Sequence, residues 1–329
     1  MSGHDIITIG VPADGLEALK TIVGNLPSEF PAAVFVVPHA GAGEARGLVD
    51  ILSRVGPLRA VSPEDRDPIQ SGHIYVAPLN RHMSIEDGCV RVTHGPKENR
   101  RRPSVDVLFR SAAHAHGAKV VGVVLSGNLN DGTAGLLAIK KCGGVAVVQD
   151  PSEASYPAMP RSVVESARVD YCLPLSGIAP LLSTLASDAA DEDRPAPSEM
   201  ETEIEIATGE TNAPVAVEKL GRPSEFTCPE CHGVLWELND KDLLRFRCRV
   251  GHAYLAESLH KEQSETEEDL LWEVFRALEE GAALARRIAE SERDCNRAGA
   301  ATRFEESAQK KEQRAMEIQQ MLLEERPTS

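Results

Sequence analysis

From position 6 to about position 185, short runs of β-branched and other apolar residues alternate with segments whose apolar positions repeat at helical spacing. Residues 6–9, 33–37, 73–77, 120–125, 145–149 and 171–174 predict strands, and residues 16–23, 45–54, 105–116, 132–141 and 159–166 predict helices. Strand and helix in alternation is the pattern of βαβ units. A strand such as Val120-Val121-Gly122-Val123-Val124-Leu125, apolar at successive positions, is one buried on both faces. The prediction is an α/β fold with a doubly wound, mainly parallel sheet over residues 1–186, whose ligand chemistry collects at the C-terminal ends of the strands.

The pattern then changes twice. Residues 187–225 are rich in Asp, Glu, Pro, Ala and Thr and supply about half of the net negative charge, so they predict an acidic, largely disordered linker. Residues 226–260 hold closely spaced Cys and His. Residues 261–326 are charged and rich in Ala and Leu, with Leu271, Val274, Phe275, Leu278, Ala282, Ala285 and Ile288 on one helical face. The pattern breaks at 296–299 and resumes with Ala308, Ala315, Ile318 and Leu322, which predicts a helical hairpin.

Composition narrows the function classes. The 329 residues are 42% hydrophobic with few aromatics, enough for one sizeable core. No basic and apolar leader opens the sequence and no apolar run reaches the roughly 18 to 20 residues that span a bilayer, while Cys89, Cys142 and Cys172 stand singly among apolar neighbours. A reducing cytoplasm is the expected location. A formal charge of -16 repels polyphosphates and anionic lipid, which argues against nucleic acid as a partner.

Gly10 and Gly15 follow the first strand, but neither a Gly-Lys-Ser/Thr phosphate loop nor a Gly-x-Gly-x-x-Gly fingerprint is written there. His39 follows the second strand, and Asp131 follows the strand at 120–125. Such a pair has the chemistry of a base and the carboxylate that fixes its tautomer. The stretches around them, Ser71-Gly72-His73-Ile74-Tyr75-Val76-Ala77-Pro78, Asn80-Arg81-His82-Met83, Arg102-Pro103-Ser104-Val105-Asp106-Val107-Leu108-Phe109, Leu125-Ser126-Gly127, Asn130-Asp131-Gly132-Thr133-Ala134-Gly135 and Met159-Pro160-Arg161, run in order over about residues 5–185. Through them the chain resembles the methylesterase domain of the CheB-type chemotaxis protein-glutamate methylesterases. That resemblance implies hydrolysis of glutamate methyl esters on chemoreceptor helices by a Ser-His-Asp triad, with His39 and Asp131 as its histidine and aspartate.

The resemblance fails at the nucleophile. The family reads Gly-x-Ser-x-Gly-Gly, and Gly10-Val11-Pro12-Ala13-Asp14-Gly15 sets Pro12 on the serine and Asp14 on a glycine. Proline has no oxygen to attack with, its ring fixes φ, and it lacks an N–H. Asp14-Gly15-Leu16-Glu17 also reads as a capping box, which would set a carboxylate where an oxyanion would need the helix end. The expectation is a methylesterase homologue that binds receptor or signalling-protein helices but is catalytically degenerate; the alternative is an active esterase whose nucleophile is Ser126 or Asp14. Family members commonly carry a receiver domain ahead of the esterase, and no receiver fits before Ile6. Cys228-Pro229-Glu230-Cys231 and Cys248-Arg249-Val250-Gly251-His252 give C-x2-C and C-x3-H at zinc-ribbon spacing, which predicts a structural zinc held by Cys228, Cys231, Cys248 and His252.

Overall fold

The computed structural model describes residues 3–11, 15–39, 47–127, 130–166, 168–192, 194–210 and 213–324. Its first part holds strands β1 (Ile6–Val11), β2 (Ala33–Pro38), β3 (Arg59–Val61), β4 (His73–Val76), β5 (His82–Glu86), β6 (Cys89–Thr93), β7 (Val120–Val124), β8 (Val145–Gln149) and β9 (Tyr171–Leu173). It also holds helices α1 (Leu16–Gly24), α2 (Leu48–Val55), α3 (Val105–His116), α4 (Thr133–Lys141), α5 (Ala158–Ser166) and α6 (Leu175–Ser187). Seven strands form one parallel sheet in the order β3-β4-β2-β1-β7-β8-β9. Because side chains alternate across a strand, Ile7 and Ile9 of β1 pack with α1, α2 and α6 through Leu19, Leu52 and Leu182, while Ile6 faces the layer of Leu108, Leu136 and Met159 from α3, α4 and α5. The predicted doubly wound fold is present, and β1 lies between β2 and β7, at the point where the strand order reverses.

Three strands and one helix of this part lie beyond the predicted set. β3 is three residues long and exposes Arg59, so it carries no periodicity. β5 and β6 pair as an antiparallel hairpin turned by Asp87 (φ 47°) and Gly88 (φ 75°), an Asp-Gly turn with the left-handed backbone that hairpins favour. α6 forms despite Pro180 inside it.

The segment predicted as a disordered linker is structured. It contains α7 (Ser198–Thr208) and α8 (Ala213–Leu220) and enters β10 (Gly221–Thr227). α7 buries Met200, Glu203, Ile206 and Ala207 on one face, and Gly209 in the left-handed conformation closes it. Acidic composition obscured a helical stripe whose charged member, Glu203, is neutralised by partners elsewhere. β10, β11 (Val234–Leu238), β12 (Arg245–Cys248) and β13 (Ala253–Leu255) form a four-stranded antiparallel sheet in that order.

This small sheet is joined to the large one by buried charge. Glu98, just before α3, accepts from Arg110 of α3 and from Arg247 of β12, both at 2.7 Å. Glu203 takes Arg245 in a two-point fork at 2.8 and 2.9 Å and Arg247 at 3.1 Å. Arg247 is wholly buried and also donates to the Gly251 carbonyl.

Contacts divide the chain into two compact units at Leu259 and His260. The second contains most of α9 (Ala256–Asp294) and all of α10 (Ala298–Glu324), which meets the predicted hairpin, although α9 starts inside the stretch assigned to the Cys/His module. Ala301, Ala308, Ala315 and Leu322 of α10 are buried at seven-residue spacing, and Ala282, Ala285 and Ala289 of α9 are buried with them. Arg286 pairs with Glu312 and Arg293 with Glu305, so the two helices run antiparallel.

Burial alone would raise Glu98 and Glu203, but Arg110 and Arg247 pull the first down, and Arg245, Arg110 and Arg247 pull the second down, so both carboxyls lie below the usual range. A lowered folded-state pKa gives stabilisation that is complete above the unfolded value near about 4 and is lost as pH falls through the folded value. Urea unfolding followed across pH should be steady from neutral down to about pH 5 and weaken progressively below about pH 4. Glu203→Gln should cost about 3 to 5 kcal/mol at neutral pH, because three guanidinium groups lose their carboxylate.

Candidate active site and metal centre

The ends of β1, β2 and β7 converge. His39 follows β2, and its backbone N–H donates to the Val11 carbonyl at 2.8 Å, which ties it to the end of β1. Gly10 lets α3 reach this edge of the sheet, since a Cβ there would stand 2.8 Å from Val105 Cγ1. Beyond β7, Gly132 (φ 96°) turns the chain from Asp131 into α4.

Asp131 is fully buried and accepts four hydrogen bonds. His39 Nε2 stands 2.7 Å from Oδ2, and the Val105 N–H donates to the same oxygen at 2.9 Å. The Ser104 hydroxyl and the Asp106 N–H donate to Oδ1 at 2.8 and 3.2 Å. The carboxylate therefore caps α3 as well as orienting the imidazole. Burial would raise its pKa, but the bond from His39, the imidazole's charge and the donors Val105 and Ser104 hold it below the usual carboxylate range. With Nε2 occupied by an ionised carboxylate, Nδ1 is the ring nitrogen left to accept a proton.

Burial, reinforced by the charge of Asp131, pushes the neighbouring Asp106 well up. Its oxygens accept from Gly135 N–H at 2.6 Å and Asn99 Nδ2 at 2.8 Å. Two adjacent buried carboxyls thus divide one charge, and Asp131, with more donors, holds it.

The structure brings His39 and Asp131 together as the sequence implied. Pro12 and Asp14 lie outside the described residues. α1 begins at Leu16 with Gly15 at its N-cap, and the Glu17 carboxylate accepts from Lys20 Nζ at 2.8 Å; the predicted capping box falls on Asp14, outside the described residues. Ser126 is buried, and its hydroxyl oxygen accepts the Tyr156 N–H at 3.0 Å. Ser104 was missed as a site residue: it stands at the N-cap of α3, a position where Ser ordinarily bonds its own helix, and nothing local reveals that its hydroxyl serves Asp131 instead.

Residues 7–182 match the CheB methylesterase family. The chain belongs to that family. A Leptospira interrogans protein provisionally named protein-glutamate methylesterase/protein-glutamine glutaminase is 42% identical over 183 residues, which are 55% of this chain and 95% of that protein. A Hydrogenovibrio crunogenus protein-glutamate methylesterase/protein-glutamine glutaminase is 35% identical over 179 residues, 53% of this chain and 47% of the relative, so the chain spans about half the length of that protein. The crystal structure of the Thermotoga maritima CheB methylesterase catalytic domain superposes with a TM-score of 0.53 at 33% identity, covering 56% of this chain and all of that one.

The second cluster lies in the four-stranded sheet. One ligand atom from each of Cys228, Cys231, Cys248 and His252 falls within 4.8 Å of all the others. His252 Nδ1 is 3.6 Å from Cys228 Sγ and 3.6 Å from Cys248 Sγ, and Cys231 Sγ is 3.6 Å from Cys248 Sγ. Tetrahedral zinc with Zn–S near about 2.3 Å and Zn–N near about 2.0 Å requires ligand separations of about 3.5 to 3.8 Å. The residues present fit that ion. Glu230 Oε2 stands 3.4 Å from His252 Nε2, a partner that would leave Nδ1 to face a metal, and the same oxygen is 3.2 Å from Lys97 Nζ.

Because Asp131 satisfies three donors besides the imidazole, its loss should cost more than that of its partner. Asp131→Ala should lower unfolding stability on the order of 3 kcal/mol and His39→Ala by about 1 kcal/mol, compared by chemical denaturation.

Proposed function

We propose that this chain is a CheB-type protein that no longer hydrolyses methyl esters at an ordinary rate and uses the methylesterase fold to bind helices of chemoreceptors or other chemosensory proteins in the cytoplasm. The observation that carries the reading is that Pro12 stands in the sequence where the family carries its serine, in a chain whose His39–Asp131 pair is assembled. An imidazole that can take a proton achieves nothing for acyl transfer unless an oxygen or sulfur gives one up and attacks. The relatives' names supply the ligand class, the glutamate methyl ester or glutamine side chain of a protein. Among the described residues no helix is long and apolar enough to cross a membrane.

The intact base pair favours one alternative, an esterase that uses a different nucleophile. Ser126 is a poor candidate because its hydroxyl oxygen is engaged in a buried turn, which leaves Asp14. Turnover of a methylated receptor fragment by the native chain should fall at least about 10³-fold below that of a serine-bearing relative. Pro12→Ser combined with Asp14→Gly should raise it, and the native chain should still bind the fragment. Native turnover near that of a serine-bearing relative, abolished by His39→Ala, would establish the alternative.

We also propose that Cys228, Cys231, Cys248 and His252 hold one structural zinc, with all four positions filled by protein so that none is open to substrate. Elemental analysis of the purified chain should give one zinc per chain, and Cys231→Ser should lose it.

A further inference from the structure

We infer that the Cys3His module is a metal-locked clamp on the turn that carries Asp131, an inference that rests on the zinc reading given above. The clamp has three points of attachment, each of which starts beside a metal ligand or at the end of the strand that a ligand opens.

Arg247 precedes Cys248 and is bound to Glu98 and Glu203. Ala253 follows His252 and pairs through its backbone with the segment before α3: the Asn99 N–H donates to the Ala253 carbonyl at 2.8 Å, and the Ala253 N–H to the Lys97 carbonyl at 3.2 Å. Two residues on, the Leu255 N–H donates to Asn99 Oδ1 at 2.9 Å. That amide is thereby oriented so that Nδ2 bonds Asp106, whose own N–H caps Asp131. The third attachment is the first turn of α9, which follows β13 directly. Ser258 donates its hydroxyl to Asn130 Oδ1, and Asn130 Nδ2 donates to Glu257 Oε2 at 3.2 Å. Asn130 and Ser258 are both buried, and Asn130 is the covalent neighbour of Asp131.

The apolar core around the ligands is small: it consists of Cys228, Leu235, Phe246, Cys248, Tyr254 and Leu259, so two of six members are metal ligands, while Leu238 of β11 packs instead with Ile206 of α7 and with Ala216 and Val217 of α8. A core of that size does not offset the ordering of four strands, and in such modules the metal's binding free energy is the folding free energy. When the metal leaves, β12 and β13 lose their anchor, and the bonds from Leu255, Glu257 and Ser258 go with them. Ser258 and Glu257 are positioning residues: they touch no substrate and act on Asp131 through Asn130.

Hydrogen exchange read by mass spectrometry on the full chain tests this, with zinc content measured on the same samples. Removing zinc with a chelator should speed exchange about tenfold or more in peptides covering 97–106 and 130–136, leave β1 and β2 protected, and be reversed by added zinc. The double variant Ser258→Ala, Glu257→Gln should keep its zinc, release only the 130–136 peptides, and broaden the downfield Nε2–H proton resonance of His39 that reports its bond to Asp131. Unchanged protection of both segments in the zinc-free chain overturns the clamp. Unchanged exchange and an unchanged His39 resonance in the zinc-loaded double variant overturn the role of Ser258 and Glu257. A chain purified without zinc overturns the metal reading and the lock with it, while the double variant still decides whether the turn is held from α9.

Discussion

The carboxylate of Asp131 is the point on which the ends of β2 and β7 and the start of α3 are assembled. It is buried with four donors from three directions: the imidazole of the β2 end, the N-cap hydroxyl of α3 and two free N–H groups of that helix. A charge at that depth is tolerable only when it is fully hydrogen-bonded, and a helix N-terminus supplies donors already pointing at it. The same arrangement orients His39 and closes α3 onto the sheet edge. A histidine and aspartate in triad geometry are therefore required by packing whether or not an attacking oxygen stands beside them. Their presence is evidence of fold first and of turnover only when a nucleophile accompanies them.

A second buried charge system fixes where the small sheet sits. Glu98 and Glu203 lie among Arg110, Arg245 and Arg247, each guanidinium presenting a rigid fork. Buried pairs of this kind add little stability over an apolar contact of equal volume, but a half-formed one is very unfavourable. The consequence is specificity: β12 and α7 dock in the register that brings all five groups together. Lys97 and Glu230 extend the same junction to His252, so the Cys3His cluster and the segment before α3 are linked through paired charges.

Much of the large sheet was legible because its central strands are buried on both faces and so read as unbroken apolar runs, as in 120–125. His39 and Asp131 were legible for a related reason, since strand C-terminal ends in such sheets are where polar residues find a purpose. The clustering of Cys228, Cys231, Cys248 and His252 was legible from their spacing. Ser104, Asn130 and Glu203 were not. Each makes its decisive bond to a residue 27 or more positions away, and no local pattern encodes a distant partner. The linker was misread for the same cause: composition counts charges, whereas burial depends on whether a particular charge is met, and Glu203 is met by three arginines.

On the proposed reading, a site that keeps its base but has an imino acid in place of the family's serine differs from an enzyme in kinetics more than in recognition. Binding energy comes from the whole lining, and only interactions made specifically in the transition state depend on the nucleophile. An active methylesterase ends its encounter with a methylated side chain by converting it, so its occupancy reports unspent substrate. On the reading proposed here a chain bearing Pro12 leaves by dissociation alone, and its residence on a receptor helix is governed by how firmly the cleft is held in shape. The turn around Asp131 sets that shape, which makes the contacts from Asn130 to the first turn of α9 a place where the state of the Cys3His module would be felt as a change in binding and not as a change in chemistry.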